Sequence, residues 1–167
     1  MREVFQVINS MVEDGVLTTY AIGGAIAATF YLEPVLTEDV DVFVHIAVEM
    51  PLFRELSPVY EYLDSKGYQP KREYVEIEGW DVQFLLYDQD EITREAVENP
   101  NTFDFDGVNV RVMIPEYLVA IMLKTGRPKD YARANAFLEQ NKVDVDSLSV
   151  LIDRFGLEEQ WQKLKLM

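Results

Sequence analysis

Cysteine is absent from the 167 residues, and histidine occurs once, at His45. Together these absences remove disulfides, thiolate metal sites and multi-histidine metal centres. No stretch approaches 18 consecutive apolar residues, so no membrane span is predicted. The opening Met1-Arg2-Glu3-Val4-Phe5-Gln6 lacks the apolar run of a secretory leader. These features predict a cytoplasmic protein. Positive charge is also scarce: 15 Lys and Arg stand against 30 Asp and Glu, a formal net charge of −15. Such a chain repels nucleic-acid backbones and anionic lipid, so neither non-specific DNA binding nor membrane binding is expected. A phosphate ligand is compatible with it only where the few cations gather. The Gly-x-x-x-x-Gly-Lys-[Ser/Thr] loop is missing as well, which excludes a P-loop.

Hydrophobic residues make up 49% of the chain, enough for one sizeable core. Val4, Phe5, Ile8, Met11 and Val12 recur at helical spacing, and Asp14-Gly15 ends that run. A short buried strand is predicted over 18–22, a helix over 25–32 that breaks near Pro34, and a strand over 39–46. Pro51 opens a second helical region, with Leu52 on its apolar face. Ser57 as N-cap and Pro58 at the first helical position predict a helix over 58–66. Runs 72–77 and 80–87 around Glu78-Gly79 read as a hairpin, as do 103–105 and 108–113 around Asp106-Gly107. A short helix is expected over 92–99. From Pro115 onward the pattern is helical: 115–125, a helix from Pro128 to about Asn141, 144–154 and 157–166. Ser57 and Ser147 read as caps. The fold class is therefore α/β, a small mixed sheet flanked by helices. Residues 1–113 form the core, and 114–167 a helical C-terminal subdomain packed on it.

The chemistry concentrates in residues 20–44. Gly23-Gly24 stands between a strand and a helix, where backbone can approach a ligand and a helix start faces an anion. In Asp39-Val40-Asp41-Val42-Phe43-Val44 the valines point one way and the two aspartates the other, about 6.6 Å apart by strand rise. Carboxylates so placed raise each other's pKa unless a cation balances them. Oxygen ligands suit Mg²⁺. By itself the alternation is equally that of a strand with a solvated acidic face. Asp81 and Gln83 share one face of the 80–87 strand. Asp81 is either a further carboxylate of the site or a turn-proximal aspartate.

Gly23-Gly24, a helix, then Thr37-x-Asp39-Val40-Asp41 resembles the signature of the nucleotidyltransferase superfamily, the polymerase-beta-like fold. Here 14 residues separate Gly24 from Asp39, slightly more than the common spacer. The resemblance implies transfer of a nucleotidyl group from an NTP, with Asp39 and Asp41 holding Mg²⁺ or Mn²⁺. It implies Asp81 as third ligand or general base, and Gly23, Gly24, Thr37 and Gln83 around the nucleotide. The acceptor is left open among a protein side chain, an RNA end and a small molecule.

A second cluster, Lys124-Thr125-Gly126-Arg127-Pro128-Lys129-Asp130, puts three cations in six residues at a helix–helix junction. Lys129 and Arg133 fall on one helix face. Read plainly, this is a solvated turn with an Asp130–Arg133 pair. It also resembles the Lys…Arg-x-Lys-Asp junction of small prokaryotic nucleotidyltransferases, including those of abortive-infection and toxin–antitoxin systems. That resemblance implies Lys124, Arg127 and Lys129 at the triphosphate. Two rivals stand beside the enzyme: a non-catalytic nucleotide-binding or toxin-neutralising module acting through a partner protein or as a homodimer, and an acidic domain with no ligand.

Overall fold

Val40, Val42 and Val44 are fully buried, so the strand that carries the two aspartates is anchored by its apolar edge. Full burial of each valine contributes about 1.5–3 kcal/mol. The structure is a computed structural model that describes residues 1–33, 37, 39–47 and 56–167. The break at Pro34 and the helical region from Pro51 through Leu52 fall outside the described residues.

In chain order the elements are α1 (Arg2–Glu13), β1 (Leu17–Ile22), α2 (Gly24–Thr29), β2 (Asp39–Ile46), α3 (Ser57–Ser65), β3 (Pro70–Lys71), β4 (Tyr74–Ile77) and β5 (Trp80–Leu86). They continue with α4 (Glu91–Glu98), β6 (Asn101–Phe105), β7 (Val108–Val112), α5 (Pro115–Thr125), α6 (Pro128–Glu139), α7 (Val145–Phe155) and α8 (Glu158–Lys165). The strands form one mixed sheet in the order β3-β4-β5-β2-β1-β7-β6. β2 lies at its centre, antiparallel to β1 and parallel to β5. Among the described residues no helix is long and apolar enough to cross a membrane.

Register decides which side chains meet. Asp39 is paired with Asp81, Asp41 with Gln83 and Phe43 with Leu85. Paired residues on neighbouring strands face the same side, so these six share one face of the sheet. The opposite face carries Val40, Val42, Val44, Val82 and Phe84, all buried. It is covered by α1, whose Asn9 accepts a 2.7 Å hydrogen bond from the Tyr20 hydroxyl of β1. α5 sits over the polar face and packs against α2, α4, α6, α7 and α8.

Both predicted hairpin turns form, with positive φ at Glu78 and Gly79 and at Asp106 and Gly107, the signature of a type I′ turn. Three local expectations need correction. The run 72–77 is not one strand: Arg72 takes φ 61, and the chain turns so that β3 pairs with β4. Leu56, not Ser57, is the N-cap of α3. The cap of α7 is Asp144, whose carboxylate accepts from the backbone N–H groups of Asp146 and Ser147, so Ser147 lies inside the helix.

A cap also joins two helices. The Asp90 carboxylate accepts from the Thr93 backbone N–H at 2.9 Å, closing the start of α4, and from Lys124 Nζ of α5 at 2.6 Å. Burial pushes this carboxyl up, but the bonds from Lys124 and Thr93 outweigh it and hold it below the ordinary value. A carboxyl depressed in the folded state stabilises above its unfolded pKa and loses that contribution as pH falls through the folded value. Asp90→Ala should therefore cost about 1 kcal/mol near neutral pH, a Tm loss of about 2–4 °C at this chain length. The gap from wild type should begin to narrow near pH 4, the ordinary carboxyl pKa, and close as pH falls through the lower folded value. Thermal melts from pH 7 to about pH 2 test this; a gap as wide at the acid end as at pH 7 would show that the charge is not what matters.

Candidate active site

The site is built around Asp41, and glycine makes room for it. The chain leaves β1 through Gly23, whose backbone N–H donates to the Asp41 carbonyl at 2.9 Å. Gly24 follows at φ 58, a left-handed conformation that glycine adopts without strain. A Cβ at Gly24 would lie 1.8 Å from Asp41 Oδ2 and 2.9 Å from its Cγ. The missing side chain is thus filled by the carboxylate. At Gly23 a Cβ would meet Phe43 Cε2 at 2.5 Å and the Met113 sulfur at 3.3 Å. The glycine pair was expected to present backbone to a phosphate. Its N–H at Gly23 is already committed to Asp41, and the clearance at Gly24 serves a carboxylate.

Gly24, Thr37, Asp39, Asp41 and Gln83 line a cavity of about 650 Å³. α5 supplies an apolar wall of Leu118, Ile121 and Met122, and the sheet adds Phe43 and Leu85. Across from the aspartates stand Arg127, Lys129 and Arg133. The Asp41 carboxyl is pushed above its ordinary value, first by burial and then by Asp39, while Arg127, Lys129 and Arg133 pull the other way. Tyr74 closes another side. Its hydroxyl is pushed up by burial and then by the charges of Glu73, Asp39, Asp41 and Asp81. Two oxygen-donor side chains, crowded as like charges and opening on one cavity, fit a hard divalent cation. Asp39 and Asp41 are the residues that could hold it.

Not every predicted residue gathers here. Asp81 is half-buried and faces the same side as Asp39, but it also pairs with Glu76 of β4 and lies outside the cavity wall. Among the described residues no three Asp, Glu and His side chains come together as a metal-ligand cluster. Gly23 packs on Phe43 behind the wall. Lys124 is drawn to Asp90, a partner 34 residues earlier, and does not line the cavity. Asp130 pairs with Arg127 rather than Arg133: Nε donates to Oδ2 at 2.6 Å and a terminal nitrogen to Oδ1 at 3.1 Å. Tyr74 was not singled out as a site residue, whereas Arg133 was set beside Lys129 on one helix face as a possible phosphate contact, and both line the cavity. The four-residue step from Lys129 was a signal for Arg133. Tyr74 had none: the hairpin sets β4 beside β5, but only the strand order sets that hairpin beside β2.

Solved structures share this architecture. The antibiotic-resistance factor ANT(2″)-Ia, determined in solution, superposes with a TM-score of 0.56 at 14% identity, covering 98% of this chain and 94% of that one. A crystal structure of ANT(2″)-Ia in complex with adenylyl-2″-tobramycin gives 0.56 at 15% identity, covering 96% and 98%. An antigenic nucleotidyltransferase-like protein from Paracoccidioides brasiliensis gives 0.60 at 15% identity, covering 98% and 91%. At these identities the likeness is one of fold. No curated protein matches the sequence. The family profile described as "nucleotidyl transferase of unknown function (DUF2204)" matches residues 1–164. The chain therefore belongs to that family of nucleotidyl transferases.

Proposed function

We propose that this protein transfers a nucleotidyl group from a nucleoside triphosphate to a hydroxyl-bearing acceptor, using Mg²⁺ or Mn²⁺ held by Asp39 and Asp41. The observation that carries the reading is the seating of Asp41 in the space left by Gly24, beside Asp39 and across one cavity from Arg127, Lys129 and Arg133. When bound, the metal would neutralise triphosphate charge and activate the acceptor oxygen. The chain's own residues do the rest. Gly24 fixes Asp41, the cations of α6 and its N-cap orient the polyphosphate, and Thr37 and Gln83 offer polar groups on the cavity floor. The cavity volume lies in the range of small-molecule sites. In the transfer, a bond forms from the acceptor oxygen to the α-phosphorus and the bond to the pyrophosphate oxygen breaks. Pyrophosphate leaves with that electron pair. The proton released by the acceptor would pass to water, because Asp81, one rung across from Asp39, lies outside the cavity wall.

The position of Asp81 outside the cavity wall favours a second reading, in which the same site binds a nucleotide without transferring it. Calorimetry separates both readings from an empty acidic domain. Mg²⁺–ATP should bind, and EDTA should weaken binding at least about tenfold, because uncompensated triphosphate would face Asp39 and Asp41. Equal affinity with and without the ion would contradict the metal's role. Pyrophosphate release in the presence of cell extract then distinguishes transfer from binding alone.

A further inference from the structure

The cavity has two unlike ends, and the strand order sets them apart. At one end stand the cations of α6 and its N-cap. α6 follows α5, which packs on α2 and α4, and these lie against β2 and β1. At the other end stands Tyr74, on the far side of β5 from β2. Continuing the β4–β5 register by one rung from Val75 and Val82 puts Tyr74 opposite Gln83, which is itself opposite Asp41. Tyr74 is thus two strand spacings from Asp41, about 10 Å. The charges of Arg127, Lys129 and Arg133 act on Asp41, whereas those that act on Tyr74 are Glu73, Asp39, Asp41 and Asp81, all negative. Lys71, its partner on β3, is tied to Glu76. The Tyr74 hydroxyl makes no hydrogen bond to any described residue, whereas those of Tyr20, Tyr31, Tyr62, Tyr68 and Tyr117 each make one.

We propose that the Tyr74 end of the cavity receives the acceptor, and that Tyr74 binds there a small hydroxyl compound that carries positive charge. This rests on the proposed function, since it takes the nucleotide's phosphates to lie toward α6. In-line displacement puts the entering oxygen and the departing pyrophosphate on opposite sides of the α-phosphorus. With pyrophosphate at the cations and the α-phosphate at Asp39 and Asp41, the acceptor hydroxyl enters from the side of β5 and β4. Its oxygen bonds to the α-phosphorus, the bond to pyrophosphate breaks, and the hydroxyl proton goes to water. Tyr74 meets the acceptor with a ring face, which attracts a cation, and with a free hydroxyl. Burial, then the neighbouring carboxylates, push that hydroxyl's pKa up, so it stays a hydrogen-bond donor. An RNA end is the wrong partner: its phosphates would meet the negative charges around Tyr74, on a chain of net charge −15.

The test uses the full chain, Mg²⁺, ATP labelled at the α-phosphate, and cell extract split beforehand on a cation exchanger at neutral pH. The acceptor should pass an ultrafilter that holds back protein and RNA, bind the exchanger and elute with salt. With that eluate as acceptor, Tyr74→Ala should raise the acceptor KM about ten- to a hundredfold, the combined worth of a hydrogen bond and a cation over a ring. Tyr74→Phe, which keeps the ring, should raise it about two- to tenfold. Calorimetry should give both variants the wild-type affinity for Mg²⁺–ATP within about twofold. Unchanged thermal melts establish that the variants are folded. A nucleotide affinity that falls along with the acceptor KM would place Tyr74 at the nucleotide and overturn the assignment. A wild-type acceptor KM in Tyr74→Ala would overturn it as well. Label that reaches only the unretained fraction, RNA or protein would overturn the acceptor class while leaving the proposed function intact. Wild-type protein that labels nothing in any fraction would overturn the proposed function along with the inference.

Discussion

Replacing Gly24 with alanine should lower nucleotidyl transfer by at least about a hundredfold in a protein that still folds. Two penalties coincide at this residue. The backbone sits at φ 58, where an L side chain costs about 1–2 kcal/mol. The added Cβ would also stand 1.8 Å from Asp41 Oδ2, far inside van der Waals contact. Asp41 must swing away or the start of α2 must shift, and a displacement of 1 Å at a reacting centre can cost about a hundredfold in rate. Gly107 separates the two effects. It has φ 80, and a Cβ there would meet nothing within 4 Å. Gly107→Ala should show the stability loss alone. If Gly24→Ala and Gly107→Ala lose stability alike and both keep wild-type pyrophosphate release, the close approach to Asp41 has no functional meaning.

Asp41→Asn should be as damaging to activity, by about 10²–10³-fold, the usual cost of losing one charge-stabilising group at a reacting centre, and should make the metal-free protein more stable. The sign follows from the direction of the shift. Burial, then Asp39, raise the folded-state pKa of Asp41 above its ordinary 3.8. A carboxyl raised in the folded state binds its proton more tightly there than in the unfolded chain. Stability therefore falls as pH rises from the ordinary value through the folded one. At neutral pH the ionised Asp41 is a net cost, and asparagine removes it without changing shape. In EDTA the variant should melt higher than wild type at pH 7 and equal to it near pH 3. A variant that loses both activity and stability would mean that Asp41 is chiefly a structural residue.

The contrast between local and distant information runs through the whole chain. The alternation of Asp39 to Val44 defined β2 because it is written in consecutive residues and a period of two has one structural solution. Asp106-Gly107 and the stop at Gly126 were legible for the same reason: a positive φ is a local demand, and Gly126 meets it at φ 70. The helix starts at Pro115 and Pro128 also stand where the proline rule puts them. What the sequence could not show was partner choice. Lys124 reads as a member of the basic cluster, yet α4 packing against α5 delivers Asp90 to it. Asp130 was paired with the wrong arginine, because three-residue spacing fits Arg127 and Arg133 equally. The role of Gly24 was half visible. A close approach was foreseen at the glycine pair, but that it serves Asp41 depends on β1 and β2 lying side by side with Ile22 opposite Val42. Tyr74 reached the cavity only through a strand order that no local pattern encodes.

The central claim is that Asp39 and Asp41 support transfer of the α-phosphate of a nucleoside triphosphate. It is tested most directly by parallel reactions of the protein and cell extract with Mg²⁺ and ATP labelled at either the α- or the γ-phosphate. Label from the α-position should become attached to an acceptor, label from the γ-position should appear in pyrophosphate, and both signals should vanish in Asp39→Asn/Asp41→Asn. Attachment of γ-label would identify a phosphoryl transfer instead, and undiminished α-labelling by the double variant would remove the two aspartates from the chemistry.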